Sequence, residues 1–246
     1  MASLPPISSM IRSFRSPEEN LAFDQALFEG CEENRWGPDI LRFWQTDTYF
    51  VVAGYTNCIN TEVNIDACKE TGTPILRRFS GGGTVLQGPG CLNYSLVFRV
   101  EHYPECAAIS GTNVFVMKRH REAFRTLVGE SVQFRGTSDL TLRNLKFSGN
   151  AQRRGRHAAI FHGTFLLSMD LSAISRLLHP PSDAPEYRMG RSHTEFLTNV
   201  HVEAATVKSA LQKCWNADST LDVDLTERVR DLVRIRYADP DWNFRY

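Results

Sequence analysis

Residues 77–98 constrain this chain more than any other stretch. Arg77 and Arg78 precede Phe79-Ser80-Gly81-Gly82-Gly83; an apolar run follows, then a Gly88-Pro89-Gly90 turn and an alternating strand from Cys91. Consecutive glycines let backbone N–H groups converge where a Cβ would block a ligand. Converging N–H groups make an anion-binding concavity, and arginines add forked donors suited to phosphate or carboxylate. The stretch reads as a pocket for an anionic ligand, or as a Gly-rich hairpin with solvent-facing arginines. No Gly-Lys-Ser/Thr closes it, which excludes a phosphate-binding P-loop. No helical pattern follows the glycines, which excludes a dinucleotide fingerprint.

Charge and cysteine usage narrow the function classes. Lysine plus arginine and aspartate plus glutamate each total 28, and this balance argues against nucleic acid as a partner. The six cysteines show no Cys-x-x-Cys pair, so neither a zinc ribbon nor a dense disulfide framework is expected. Residues 1–14 lack a signal-peptide core, and no apolar run reaches the roughly 18 residues that span a membrane. The expectation is a cytoplasmic protein with reduced thiols and no membrane partner.

Residues 1–15 read as a polar lead-in, and 16–246 as one domain. Ser16-Pro17-Glu18-Glu19 is a helix start, with Ser16 as cap and Pro17 in the first turn. Strands are expected at 41–44, 49–54, 74–78, 91–100, 131–135 and 158–169. A hairpin is expected from Asp139–Leu142 to Leu145–Gly149 around Arg143-Asn144. Helices are expected at 64–71, 113–127, 171–178, 203–216 and 225–236. Hairpins mixed with helices, without a regular strand–helix repeat, predict an α+β fold with a mixed, largely antiparallel sheet.

Three motifs in register resemble the lipoate–protein ligase and octanoyltransferase family, whose fold is shared with biotin–protein ligases. They are Arg77-Arg78-Phe79-Ser80-Gly81-Gly82-Gly83, Lys146-Phe147-Ser148-Gly149-Asn150-Ala151, and His162-Gly163-Thr164 on a strand. Smaller echoes are Glu19-Asn20-Leu21-Ala22, Trp44 through Gly54, Gly136-Thr137-Ser138-Asp139-Leu140 and Thr198-Asn199. The resemblance covers about residues 16–200. It implies lipoate or octanoate as acyl substrate, a lysine of a lipoyl-domain protein as acceptor, and ATP with Mg2+ if activation runs through an acyl-adenylate. Lys146 is then the catalytic residue. Arg78, Ser80, Gly81, Gly82, Gly83, Gly149, Ala151, His162, Gly163 and Thr164 would hold the activated acyl group, and no metal site is implied.

Lys146 lies between Leu145 and Phe147 with no acidic neighbour in sequence, so an apolar setting is expected for it. A buried cation there would offset charge developing at a carbonyl oxygen or phosphate. His162 reads as a core or a pocket-lining residue, and Arg77 as structural or ligand-facing. Arg153-Arg154-Gly155-Arg156-His157 reads as a solvated loop or a patch that steers an acidic lipoyl domain. Residues 183–193 read as a long surface loop, which by the resemblance folds over the nucleotide or else is an idle connection. The ligase pattern continues with His-Asp-x-Gly-Asn where this chain has Gln87-Gly88-Pro89-Gly90-Cys91. That departure keeps a thioester-dependent octanoyl or lipoyl transferase open beside the ligase, with a non-catalytic acyl-binding scaffold as third reading. Residues 132–144 hold no cysteine nucleophile, and Cys91 is either a thiolate near arginines or a small buried hydrophobe. Trp242-Asn243-Phe244 resembles the point where two-domain ligases begin an accessory domain. The expectation is a catalytic domain alone that either needs a separate accessory subunit to activate free lipoate or is a transferase.

Overall fold

The computed structural model describes residues 5–181 and 183–246. In chain order its strands are β1 (Ile7–Ile11), β2 (Asp39–Trp44), β3 (Phe50–Ala53), β4 (Ile75–Arg77), β5 (Val85–Gln87) and β6 (Cys91–Arg99), then β7 (Val132–Arg135), β8 (Asp139–Leu142), β9 (Leu145–Arg154), β10 (Ala158–Leu166) and β11 (Ser219–Thr220). The helices are α1 (Pro17–Glu32), α2 (Ile59–Glu62), α3 (Ile65–Thr71), α4 (Ile109–Val128), α5 (Leu171–Leu177), α6 (His193–Phe196), α7 (Ala204–Trp215), α8 (Thr226–Leu232) and α9 (Pro240–Asn243).

Eight strands form one sheet in the order β11-β1-β2-β6-β10-β9-β8-β7, and β4-β3-β5 form a small second sheet. Pairing is antiparallel from β2 through β7, while β1 lies parallel to both neighbours. The fold is α+β with a largely antiparallel sheet, as the hairpin spacing predicts. The segment read as a polar lead-in departs from expectation, because Ile7–Ile11 is a strand with Ile7 and Met10 buried. Its partners are distant in sequence, and short Ser8-Ser9 alternation carries little signal. Residues 1–4 of that lead-in lie outside the described residues.

Period-two alternation decides what each face of the sheet carries. On β6, Leu92, Tyr94, Leu96 and Phe98 face the core built with α4 and α7, where Phe124 and Trp215 are fully buried. Val97 falls on the opposite face, packed with Leu27 and Phe23 of α1. On β10, Phe161 and Phe165 share the first core while Ile160 joins the second. His162 and Thr164 therefore join Asn93 and Ser95 on the face that looks toward α1 and the small sheet. The hairpin at Arg143-Asn144 forms as expected, both residues taking positive φ of 50° and 67°. This left-handed pair suits a two-residue hairpin turn. The following strand runs five residues past Gly149, to Arg154.

Candidate active site

A cavity of about 490 Å³ opens on that face, between β10, the glycine loop, the β8–β9 hairpin and residues 183–197. Of the residues singled out in the sequence, Arg78, Gly82, Gly83, Lys146, Gly149, Ala151, His162, Gly163 and Thr164 border it. Ser80 and Gly81 do not. Ser80 is wholly buried behind the wall.

The two arginines are not aimed at a ligand. Arg78 Nη2 donates to the Gly81 and Gly83 carbonyls at 2.6 and 2.8 Å, Nη1 to Val52 and Nε to Ser80 Oγ. Burial pulls its guanidinium down to about 10. Arg77, also buried, donates to the carbonyls of Gly54, Asn57 and Asn243, and Trp242 Nε1–H donates back to the Arg77 carbonyl. Arg78 staples the glycine loop from behind, which corrects the expectation that it presents free donors, whereas Arg77 ties β4 to residues 54–57 and to α9. The loop itself needs glycine at 82, where φ is +84° and a Cβ would come within 3.1 Å of Ala151 Cβ.

Lys146 enters from β9 with its Nζ at the cavity and its side chain about one quarter exposed. The apolar setting expected from its sequence neighbours does not hold. Asp139 of β8 lies 2.8 Å away: the hairpin register puts Thr141 opposite Lys146, and Asp139, two residues before Thr141, falls on the same face. Gly149 makes room for the lysine, since a Cβ there would sit 3.0 Å from Lys146 Cε. Gly163 makes room for Asn150, whose Oδ1 would be 1.8 Å from a Cβ.

His162 uses both ring nitrogens inward. Nε2 lies 2.6 Å from Ser80 Oγ, and Nδ1 lies 3.4 Å from Asp24 Oδ2. Asp24 also takes Arg42 and the Ser95 hydroxyl. Burial works to raise the Asp24 carboxyl, but Arg42, His162 and Ser95 outweigh it and hold it below the usual carboxylate range. An ionised carboxylate only accepts, so the ring N–H that faces Asp24 is on Nδ1. The ring is a fixed wall. Sequence reading missed Asp24, because nothing local shows which face of α1 meets the site.

The cavity lining draws on two hydrophobic clusters and one polar group. Leu21, Trp44 and Val52 come from one hydrophobic cluster; Leu86, Leu166 and Ile174 from another. Beside Trp44, which pairs with Asn93 between β2 and β6, Gln87 Nε2 donates to Thr164 Oγ1, which donates to Asn93 Oδ1, both at 2.6 Å. Gln87 Oε1 and Asn93 Nδ2 are buried there without a protein partner. Glu62 also borders the cavity and accepts from Asn57 Nδ2 at 2.6 Å.

The other candidates resolve clearly. Cys91 is buried with its Sγ 3.3 Å from Met169 Sδ, and burial pushes its thiol up to about 12. It is a small hydrophobe, not a thiolate. The basic run is a β9–β10 turn: the Glu32 carboxylate accepts from the N–H groups of Arg156, His157 and Ala158. Arg154 is spent on the Cys106 and Ala107 carbonyls. Residues 183–193 are no idle surface loop, since Arg188 is buried and Asp183, Pro185 and His193 border the cavity. Burial, with Arg188 and Lys146 nearby, lowers His193 to about 4. Among the described residues, no cluster of three or more His, Cys, Asp or Glu is placed to hold a metal ion.

Residues 16–215 match the profile of the family described as "Lipoyl protein ligase A/B catalytic domain". The chain is 26% identical to "Lipoate-protein ligase A subunit 1" of Thermoplasma acidophilum, over 91% of this chain and 90% of that one. It is equally 26% identical to "Octanoyltransferase LipM" of Brevibacillus brevis, over 94% of this chain and 95% of the other. Its fold matches a solved structure of a bi-partite lipoate protein ligase from Thermoplasma acidophilum. That match has a TM-score of 0.82 and 23% identity, covering 98% of this chain and 97% of that one.

Proposed function

The chain belongs to the lipoyl protein ligase A/B catalytic-domain family, and on that premise we propose that it is the catalytic domain of a lipoate–protein ligase. It attaches lipoate or octanoate to a lysine of a lipoyl domain through an acyl-adenylate. One observation favours this over transfer through an acyl-cysteine: none of the six cysteines borders the cavity, whereas Lys146 does. Activation must then come from the donor.

The apolar lining from Leu21, Trp44 and Val52 suits an acyl chain, and the adjoining Gln87, Asn93 and Thr164 cluster, with its two unpartnered polar atoms, adds polar contacts for the activated donor. The volume lies within the roughly 300–1,000 Å³ typical of small-molecule sites. ATP, when bound, supplies the leaving group that activates the carboxyl. Mg2+ commonly arrives on nucleotide phosphates rather than in an all-protein cage. Lys146 offsets the negative charge that develops on the carbonyl oxygen or phosphate. The glycine loop, held by Arg78, lets the acyl group pass close to backbone. The acceptor amine sheds one proton as the amide forms.

The Thermoplasma relative is called subunit 1, and the solved relative is a bi-partite ligase with an E2 lipoyl domain. By analogy this chain works with a separate accessory subunit and a lipoyl-domain acceptor. Cytoplasmic location is the matching expectation, and among the described residues no helix is long and apolar enough to cross a membrane. The LipM likeness carries the second reading, direct transfer from an acyl thioester. Mass spectrometry of a lipoyl domain incubated with the protein and each donor decides between them. Lipoate plus ATP should add one lipoyl group, and Lys146→Ala should abolish it. Modification with octanoyl thioester alone selects the transferase. No modification with either donor, accessory subunit included, leaves a binding scaffold.

A further inference from the structure

Asp139 meets two parts of the site at once. Its Oδ1 lies 2.8 Å from Lys146 Nζ, and its Oδ2 accepts from the Tyr187 hydroxyl at 2.7 Å. Each oxygen of one mostly buried carboxylate therefore serves a different element. Lys146 belongs to β9, and Tyr187 to residues 183–197, which wall the cavity through Arg188, His193 and Phe196.

Tyr187 is well placed to carry the position of that wall. Its ring packs on Phe196 at 5.2 Å and lies over Gly136, where a Cβ would come within 3.4 Å. Burial and the adjacent Asp139 carboxylate both push its hydroxyl up, so it stays a donor. The same wall is tied to Lys146 a second time. Leu197 forms a β-bridge with Lys146, and Thr198 N–H donates to the Lys146 carbonyl at 2.9 Å. One fastening is backbone and fixes where β9 runs. The other passes through Asp139 and reaches the ammonium itself. A hydrogen bond to a charged group in a part-buried site is stronger than a neutral one, so this link has the strength to matter.

We propose that Asp139 is a positioning residue that holds the Lys146 ammonium over Gly149 and couples it, through Tyr187, to the seating of residues 183–197. An anionic donor entering the cavity competes with Asp139 for Lys146, and the wall settles against the carboxylate that Lys146 leaves. The inference rests on the catalytic reading of Lys146.

The test is a double-mutant cycle with Asp139→Asn and Tyr187→Phe, assayed with lipoate, ATP, a lipoyl domain and the accessory subunit. Lys146→Ala runs in parallel. Tyr187→Phe keeps the ring and removes one hydroxyl, so it guards against a misfolded Asp139 variant. Each single change should lower kcat/KM about 10- to 100-fold, the range for a hydrogen bond to a charged group. The double variant should lose no more than about twofold beyond the worse single variant, as coupled sites do. Tyr187→Phe should lower kcat although Tyr187 does not touch Lys146, and should speed amide exchange across residues 183–197. Losses that multiply, or a Tyr187→Phe enzyme with wild-type kcat, overturn the coupling. An active Lys146→Ala enzyme instead overturns the catalytic reading, whatever the cycle shows.

Discussion

Gly149→Ala separates the site from the scaffold. Gly149 has ordinary backbone angles, so alanine fits there without strain. The added methyl would lie 3.0 Å from Lys146 Cε and 3.1 Å from Nζ, and among the described residues those are the only heavy atoms it approaches closely. Both belong to the far end of a flexible side chain, which moves aside by a few tenths of an ångström or swings further. Replacing a strand glycine with alanine stabilises by about 0.4–1 kcal/mol through the unfolded chain where the backbone permits. Crowding the lysine offsets part of that, so stability should stay within about 1 kcal/mol of wild type. Activity should not. Displacing a catalytic group by about 1 Å can cost on the order of 100-fold, and the 2.8 Å contact with Asp139 is disturbed as well. The expected result is an unchanged denaturant midpoint with kcat for lipoyl transfer lowered about 10- to 100-fold. Wild-type kcat in the alanine variant would refute the claim that Lys146 acts from this position. Loss of activity together with loss of folding would make Gly149 structural. Gly163→Ala provides the contrast: there the methyl would strike Asn150 Oδ1 at 1.8 Å and the Gly149 carbonyl at 2.7 Å, which points to folding failure.

Two further outcomes follow from buried groups outside the reaction. Cys91→Ala should retain acyl transfer within about threefold while destabilising by about 1–2 kcal/mol, the cost of a small cavity; a folded but inactive variant, or trapped acyl-cysteine in the wild type, would revive a thiol mechanism. His120 is fully buried, accepts from Trp215 Nε1–H at 2.9 Å, and is lowered by burial to about 3. Its folded pKa lies below its unfolded value near 6.5, so its contribution is complete above about pH 6.5 and is lost as pH falls toward 3. Denaturant unfolding at stepped pH should show this acid loss, and His120→Gln should flatten it across that window; an identical slope in the variant assigns the loss to other groups.

How much of this was legible in the sequence depended on whether direction mattered. Alternation placed strands β6 and β10 correctly, and the same alternation puts His162 and Thr164 on one face with Asn93. Arg77 and Arg78 show where residue type misleads. Adjacent residues on a strand point to opposite faces, and here each found backbone carbonyls to bind. Charge is visible in a sequence, but its target is not. Buried Arg78 is better understood as the reason three glycines can hold one shape.

Asp139 was missed for the opposite reason. It sits seven positions before Lys146 and has no motif of its own beyond the Gly136–Leu140 echo. A regular two-residue hairpin at Arg143-Asn144 pairs Thr141 with Lys146 and leaves Asp139 two steps further along. Alternation keeps Asp139 on the face of Thr141, and its carboxylate reaches back to the ammonium although the irregularity at Leu140/Thr141 carries its backbone one residue further along β9. That meeting depends on the pairing of two strands rather than on either strand alone. Asp24 reaches the site in a comparable way, across the sheet from a helix over a hundred residues away from His162 in sequence. Both acidic residues are contributed by topology. That is why the cations and glycines of this site could be read in the chain, while the carboxylates that orient them could not.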